Sequence, residues 1–142
     1  MQLSQFTDFA LRTLICVALE RDALVPVAQI AARYDISRNH VVKIVSRLHG
    51  LGYLATHRGR NGGVALAREP AAIRIGALVA ELENLALVEC MTTSGTCVIE
   101  GACRLRHALA RARDAFLAAL DEHTLADLLV PRSRLRSALA LG

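Results

Sequence analysis

The sequence predicts a mainly α-helical fold, a winged helix-turn-helix with a small β-hairpin wing and a long C-terminal dimerisation helix. Three observations support this prediction. Ala and Leu dominate a chain of 142 residues of which only 4% are aromatic, and both are strong helix formers. Two short amphipathic segments meet at a tight turn near residues 34–37, which is the spacing of a helix-turn-helix. A glycine-rich turn between two short β-like segments follows directly, as a wing does.

The helix-turn-helix is predicted from apolar spacing and from helix start and stop signals. Apolar side chains recur at helical intervals near the N-terminus, so a first helix is expected to end at about Glu20. Pro26 begins a second short helix. Ser37 is a good N-cap for a third helix, which Gly50 or Gly52 ends.

The wing and the C-terminal elements follow in order. Residues 53–56 and 64–66 are predicted strands, and the turn RGRNGG between them supplies glycines that reach positive φ. A fourth helix is expected over residues 75–85. A long helix then extends from residue 103 or 104 to residue 120, and its apolar stripe favours a dimer interface over a core position. After a short helix at 124–129, the basic tail is expected to be mobile or docked on a partner subunit.

Composition and charge exclude several functional classes. The net charge is +4, with +5 in residues 1–75 and −1 in residues 76–142, so the first half favours an anionic partner such as nucleic acid. No apolar run reaches the ~18 residues of a membrane span, and the N-terminus lacks the basic region of a signal peptide. We therefore expect a cytoplasmic protein with no membrane partner. No convincing catalytic constellation accompanies a thiol, so an enzyme is not expected.

The third predicted helix and the wing form the candidate DNA interface. A helix fits the major groove, where exposed side chains read base edges. Arg38 and Asn39 lie at its N-terminal end, where recognition helices contact bases, and Lys43 and Arg47 suit phosphate contacts. In the wing, arginine beside glycine suits a narrow minor groove. The predicted DNA-binding residues are Ser37, Arg38, Asn39, His40, Lys43 and Arg47 on the helix, and Arg58, Arg60 and Asn61 in the wing.

Three of the four cysteines, Cys90, Cys97 and Cys103, lie on the cysteine loop (residues 90–103), which is rich in small and polar residues. A disulfide is disfavoured in a reducing compartment and would leave one thiol unpaired. Zinc commonly takes closer cysteine pairs than these, whereas iron–sulfur clusters accept ligands from wider loops. Spacing alone therefore favours a cluster, with zinc and a thiol redox switch as open alternatives. Cys16 lies in an apolar helix and is interpreted as a core residue.

The chain resembles the family of winged-helix repressors that carry iron–sulfur clusters, and within it the members that sense nitric oxide. Four segments carry the resemblance over nearly the whole chain: LSQFTDFALRTL, VAQIAARYDISRNHVVKIVSRL, HRGRNGGVALAR and VECMTTSGTCVIEGACRLRHALARARDAF. It implies a homodimer whose long helices cross, and a cluster held by Cys90, Cys97 and Cys103. In some members an aspartate of the first helix, from the other subunit, is the fourth ligand, and Asp8 matches that position. Two-iron (2Fe-2S) and four-iron (4Fe-4S) clusters both occur in the family, and these four ligands favour 4Fe-4S.

The resemblance also implies a function. The dimer is expected to repress genes by binding double-stranded operator DNA of approximate two-fold symmetry. Nitric oxide is the expected signal: nitrosylation of the cluster releases the DNA and derepresses nitric-oxide detoxification genes. The chain then divides into a DNA-binding region (1–75), a cluster-binding loop with the dimerisation helix (76–130) and a C-terminal tail (131–142).

An iron–sulfur or redox-status sensing regulator of the same family is the alternative. The iron–sulfur biogenesis regulators of this family carry a histidine ligand three residues after the last cysteine. Here that position is Arg106, and His107 comes one residue later, which turns the side chain by about 100° on a helix. The first cysteine interval is also one residue longer than in those regulators. Both departures favour the nitric-oxide sensor.

Overall fold

A computed structural model describes residues 2–92 and 97–141 and confirms the mainly helical class with a two-stranded antiparallel hairpin. Within these residues the helices and strands follow the predicted order. The helices are α1 (Gln5–Leu19), α2 (Val27–Tyr34), α3 (Arg38–Gly50), α4 (Ile75–Leu82), α5 (Arg104–Asp121), α6 (Leu125–Leu128) and α7 (Arg132–Ala138), and the strands are β1 (Leu54–His57) and β2 (Gly63–Leu66).

Local chemistry explains the helix-turn-helix. Ser37 caps α3 as predicted, because its hydroxyl accepts a hydrogen bond from the His40 amide at 3.2 Å. The preceding helix, α2, is capped at its C-terminal end by Asp35, which adopts the left-handed conformation at φ 50°. Aspartate tolerates this region better than most residues. The two helices are thus joined by a tight turn that fixes the direction in which α3 leaves it.

One apolar core joins the helices to the wing. Leu14 of α1, Ile30 of α2 and Ile44 of α3 each have 0% exposure. Leu54 and Val64 contribute the inward side chains of β1 and β2 to the same cluster. Burial of side chains of this size stabilises a fold by roughly 1.5–3 kcal/mol each. The third helix and the wing therefore pack against the same core.

The wing is tied to the rest of the molecule by a third extended segment. Val25, in the turn before α2, exchanges two backbone hydrogen bonds of 2.9 Å with Val64. A Cβ atom at Gly63 would lie 2.8 Å from the Val25 backbone, so this contact requires glycine. Gly59, at the turn, has φ 114°, which L side chains rarely adopt. Gly59 therefore permits the turn, and Gly63 permits the close approach of β2 to the Val25 backbone.

The long helix α5 meets α4 in a close joint. Gly76 lets the backbones approach, since a Cβ atom there would lie 2.4 Å from the Leu117 carbonyl oxygen. Asp121 accepts a hydrogen bond from the Ala77 amide at 2.9 Å and pairs with Arg74 at 2.6 Å. The C-terminal end of α5 is thus fixed to the winged helix by packing, by a cap and by an ion pair.

The C-terminal tail differs from the prediction of a mobile or partner-docked segment. It forms α7, which lies against its own chain. The guanidinium groups of Arg132 and Arg136 donate hydrogen bonds of 3.0 and 2.8 Å to the Leu19 carbonyl oxygen, and Leu141 is buried. The last carbonyl groups of a helix lack intrahelical donors, so the tail arginines complete the end of α1.

Two smaller differences have local causes. The first strand begins at Leu54, one residue later than predicted, because the Tyr53 amide bonds the Leu48 carbonyl oxygen and so still belongs to the end of α3. The fourth helix ends at Leu82, three residues early, with Glu83 extended. Within the described ranges, no helix combines the length and the apolar character that a membrane crossing requires.

Candidate nucleic-acid interface and cysteine loop

The burial pattern of α3 determines which of its side chains are exposed. Val41, Ile44, Val45 and Leu48 are buried, which turns the opposite side to solvent. Ser37, Arg38, Asn39, Lys43 and Arg47 are all exposed, and α3 contains no acidic residue. The structure thus brings these five predicted residues to one polar and basic surface.

His40 differs from the other predicted contacts. Its ring is half-buried and lies edge-on to the ring of Phe9, with centroids 5.3 Å apart and planes at 84°. Phe6 lies on the same side, with a centroid distance of 6.3 Å. Such edge-to-face pairs are favourable, so His40 attaches the start of α3 to α1, and only part of its ring remains open to a groove.

Arg47 is exposed but has a protein partner. Its guanidinium donates a hydrogen bond of 3.0 Å to the carbonyl oxygen of Glu81, near the end of α4. The neighbouring Glu83 accepts a hydrogen bond of 2.6 Å from the amide of Ser4, the cap of α1. The end of α4 therefore contacts both α3 and the start of α1.

The Glu83 carboxylate is adapted to this position. Burial alone would raise its pKa, but hydrogen bonds from the Ser4 amide and from the Thr7 and Ser4 hydroxyls outweigh it, so the pKa of Glu83 is held below its usual value. The group is thus a carboxylate whenever the protein is near neutral pH.

The wing presents its predicted residues at the turn between the strands. Arg58, Arg60 and Asn61 are exposed. The turn is closed by a 3.0 Å hydrogen bond from the Gly62 amide to the Gly59 carbonyl oxygen. The two arginines are therefore carried on a short, hydrogen-bonded turn rather than on a long loop.

The cysteine loop lies at the start of α5. Cys90 and Cys97 line one cavity of about 380 Å³ together with Val88, Glu89 and Val98. Cys103 is half-buried and immediately precedes α5. All four cysteines of the chain are free thiols. Residues 93–96, the small and polar stretch noted in the sequence, lie outside the described residues, and within the rest no three His, Cys, Asp or Glu side chains form a group that would hold a single metal ion.

Arg106 contacts the backbone of the cysteine loop. Its Nε donates a hydrogen bond of 3.2 Å to the Cys90 carbonyl oxygen. Arg106 thus joins the loop to the first turn of α5. His107 is exposed.

Asp8 lies in the first turn of α1 and is half-exposed. Its carboxylate pairs with Arg12 at 2.8 Å, one helical turn later. The Arg12 guanidinium also lies over the Phe9 ring, 5.6 Å from its centroid. Asp8 is therefore connected to the aromatic contact that attaches α1 to His40.

Cys16 has the surroundings of a core thiol. It is 0% exposed, and its sulfur accepts a hydrogen bond of 3.2 Å from Arg33, which also pairs with Glu20. Burial raises the pKa of the Cys16 thiol, an effect that Arg33 only partly offsets. A buried, protonated thiol is unreactive, so the interpretation of Cys16 as a core residue holds.

Three contributors to the site were not predicted. Arg12 follows Asp8 at the i,i+4 spacing of a helical ion pair, a signal visible in the sequence. The carbonyl of Glu81 gave no such signal, because any residue has one. Val42 is 48% exposed on α3, which the spacing of the buried positions on that helix already implies.

Comparisons with known proteins agree with this architecture. The model of the Rrf2 family, described as iron-dependent transcriptional regulators, matches residues 3–131. The chain is 51% identical over 142 residues to the HTH-type transcriptional regulator NsrR of Geobacillus kaustophilus, covering 98% of this chain and 97% of that one. The structure of CymR, the global cysteine regulator of B. subtilis, matches with 28% identity and a TM-score of 0.70 over 90% of this chain and 95% of that one. T. potens IscR, at 23% identity over 91% of this chain and 86% of that one, shares the fold with a TM-score of 0.71.

Proposed function

Because the chain belongs to the Rrf2 family of transcriptional regulators, which are not enzymes, we propose that it is an iron–sulfur repressor in the cytoplasm that senses nitric oxide. The observation that carries the proposal is the cysteine loop, which presents three free thiols at the start of α5 in a chain 51% identical to an NsrR. The four sequence segments resemble the nitric-oxide-sensing members of the family, and this resemblance is the reason for proposing nitric oxide as the signal. The genes controlled are those for nitric-oxide detoxification.

The DNA interface consists of α3 and the wing. Arg38 and Asn39 enter the major groove at the start of α3, Lys43 contacts phosphate, and the wing arginines approach the minor groove. Arg47 is held by the Glu81 carbonyl oxygen, so it contacts phosphate from a fixed position. The exposed basic surface supports this assignment.

In a homodimer, the second copy covers the exposed surface of α5. None of the 18 residues of this helix is buried in the single chain, and Leu105 near its start is 62% exposed. A second copy that packs along α5 covers this surface. It also supplies a second α3 for the other half-site of an operator, with the two readers about 34–36 Å apart or a multiple of that distance.

The residues of the cysteine loop fit an iron–sulfur cluster. Thiolates are the usual ligands of such clusters, and the shared cavity of Cys90 and Cys97 supports their assignment, with Cys103 as the third ligand. The resemblance assigns the fourth position to Asp8 of the partner subunit and favours 4Fe-4S over 2Fe-2S. When bound, the cluster supplies iron with which nitric oxide reacts.

The protein's own contacts then connect the loop to the DNA interface. Cys90 is joined through its carbonyl to Arg106, and Cys103 adjoins the first residue of α5. The opposite end of α5 is fixed to α4 by Asp121, and the end of α4 holds Arg47 of the recognition helix. Release of the thiolates frees the start of α5, so the two copies of α3 lose their spacing.

The decisive experiment measures DNA affinity and cluster content in the same anaerobic titration with nitric oxide. We expect operator binding to fall in step with the cluster absorbance, by about 150-fold for a coupling of about 3 kcal/mol. Release by oxidants but not by nitric oxide would support the redox-status alternative instead. Equal affinity of cluster-loaded and cluster-free protein would overturn the proposal.

The wing assignment has its own test. Arg60→Ala should weaken operator binding, and a phosphate contact should lower the slope of log affinity against log salt by about 0.9. A larger loss on the specific site than on random DNA would indicate minor-groove reading. Arg134→Ala, which removes an exposed arginine of α7 outside both proposed interfaces, is the matched control. Equal binding by the Arg60 and Arg134 variants across salt concentrations would reject the wing.

The role of Asp8 can be separated from its ion pair. As a helix-start acid paired with Arg12, Asp8 is worth only about 0.3–1 kcal/mol. If it ligates iron, Asp8→Ala should change the cluster spectrum and the kinetics with nitric oxide, whereas Asp8→Cys should slow the reaction, because thiolate is the softer ligand. Arg12→Ala removes the same ion pair but keeps the carboxylate. Wild-type spectra in the Asp8 variants would leave Asp8 with its structural role alone.

A further inference from the structure

One side chain on the recognition helix does not match its neighbours. Val42 is 48% exposed, and it lies on the solvent side of α3. Every other exposed residue on this helix is either polar or glycine. These are Arg38, Asn39, Lys43, Ser46, Arg47, His49 and Gly50.

The stability of α3 gives no reason for a valine at this position. The side chain is absent from the buried core and from the residues packed against it. A β-branched residue also lowers helix propensity slightly compared with Ala or Leu, because its χ1 angle is restricted. The apolar group is therefore explained by what α3 contacts rather than by how it folds.

The neighbours of Val42 define where it points. Asn39 and Ser46 lie one turn before and after it on the same exposed side. His49, two turns after Val42, bonds the Leu54 carbonyl oxygen of β1 at 2.9 Å, which identifies this flank of α3 as the wing side. Arg47 lies on the opposite flank, where it bonds α4. Val42 thus lies between the centre of the recognition face and the wing.

The surrounding charge indicates what kind of molecule Val42 contacts. Arg38 and Lys43 are exposed beside Val42, and the wing carries Arg58 and Arg60. An exposed basic surface favours a polyanion over an apolar protein groove. Among the groups that DNA presents in the major groove, one is apolar, the C5 methyl group of thymine. An aliphatic side chain on a basic recognition helix matches that group.

We propose that Val42 is a specificity-determining residue that contacts the C5 methyl group of one thymine in each operator half-site. This inference rests on the proposed function, in which α3 enters the major groove. Asn39 and Ser46 are then the polar neighbours that read the adjacent base edges. The contact distinguishes thymine from cytosine and, in a synthetic probe, thymine from uracil.

The test removes the methyl group from the DNA and the side chain from the protein independently. A preferred operator is first selected from a random duplex library with the wild-type dimer. Each thymine is then replaced in turn by 2′-deoxyuridine, which pairs identically but lacks the methyl group. We expect one position per half-site where replacement weakens wild-type binding about fourfold, and about 15-fold when both half-sites are changed, since one buried methyl group is worth about 0.8 kcal/mol.

Val42→Ala should bind the thymine and uracil probes equally, at the level of the wild type on the uracil probe. Val42→Thr retains one methyl group and should keep part of the discrimination. Val130→Ala makes the same change at a valine that is 75% exposed outside α3, and it should discriminate as the wild type does.

Two failures lead to different conclusions. If the wild type selects no preferred sequence, the proposed DNA interface fails and this inference fails with it. If the wild type selects an operator but Val42→Ala still discriminates thymine from uracil fourfold, the DNA interface stands and the role of Val42 is overturned. The same conclusion follows if no single thymine is sensitive in the wild type.

Discussion

Two regions of the molecule differ in how completely their side chains are buried. One is the winged-helix body, which comprises α1 to α4 and the wing, and the other is the long helix α5 with the cysteine loop. In the body, Leu14, Ile44 and Leu78 are completely buried. In α5 no residue is buried, and beside it Ile99 of the cysteine loop is 60% exposed. The body is therefore complete in a single chain. The region of α5 and the loop is left open in a single chain, and the proposed cluster and second subunit would bind there.

The cysteines of the two regions differ in burial in the same way. Cys16 of the body is fully buried beside Arg33, whereas Cys97 of the loop is exposed. A thiol that ligates metal must be reachable and must lose its proton. Burial works against both at Cys16, whereas the exposed Cys97 of the loop is reachable.

The largest expected effect concerns these thiols. Replacing Cys90, Cys97 or Cys103 singly by Ser should remove or severely reduce the cluster, because each variant loses one proposed thiolate ligand. Cys16→Ser is the matched control and should retain the cluster, with only some loss of stability. The measurements are iron and sulfide content and the anaerobic absorption spectrum. Full iron occupancy in Cys97→Ser would contradict the three-ligand assignment.

The second effect concerns packing. Ile44→Ala should lower the free energy of unfolding by about 2–5 kcal/mol, because it leaves a cavity in a closed core. Leu105→Ala on α5 should change the stability of the dilute monomer by less than about 0.5 kcal/mol but should weaken dimerisation. Urea unfolding and sedimentation analysis measure the two quantities. A dimer unaffected by Leu105→Ala would place the partner elsewhere.

The third effect lies at the joint between the two regions. Gly76→Ala should destabilise the protein by about 2 kcal/mol, since the new Cβ atom meets the Leu117 carbonyl oxygen and the backbones must separate. Gly101→Ala in the cysteine loop meets no atom within 4 Å and should be nearly neutral. Thermal unfolding of both variants tests the comparison. Similar melting temperatures for the two would show that the joint is not closely packed in solution.

The smallest effect is electrostatic and lies where the body joins the segment leading to the loop. Because the pKa of Glu83 is lowered in the folded state, its carboxylate stabilises the fold above the ordinary glutamate pKa. This contribution is lost as pH falls through the lowered value. Glu83→Gln should therefore flatten the acid side of the stability curve below about pH 4.5. Ser4→Ala leaves the amide donor in place and should keep most of the slope. A Glu83→Gln curve parallel to that of the wild type would remove this role.

The features predictable from sequence are those that local chemistry determines. The Ser37 cap and the buried stripe of α3 follow from residues within one or two turns. The glycine-rich turn identified the wing for the same reason. The tail was predicted wrongly because α7 docks on Leu19, more than 110 residues away in sequence, and no local pattern reports such a contact.

The candidate site divides in the same way. The basic surface of α3 was predictable, because exposure follows from helical period. That His40 turns toward Phe9 was not, since the approach of α1 is a tertiary property. The spacing predicted a site of three loop cysteines, of which the structure places Cys90 and Cys97 on one cavity. Their final arrangement depends on the cofactor proposed to bind them, because binding of such a cofactor is coupled to folding of its site.

Two of the three wing glycines, Gly59 and Gly63, limit which substitutions the wing can accept. Gly59 is restricted by its backbone angle and Gly63 by the space beside Val25, so the two positions reject other amino acids for unrelated reasons. Arg58 beside Gly59, and Arg60 and Asn61 between the two glycines, are exposed and do not have positive φ. Natural variation can therefore change the proposed DNA contacts of the wing at positions 58, 60 and 61 without changing the backbone that presents them.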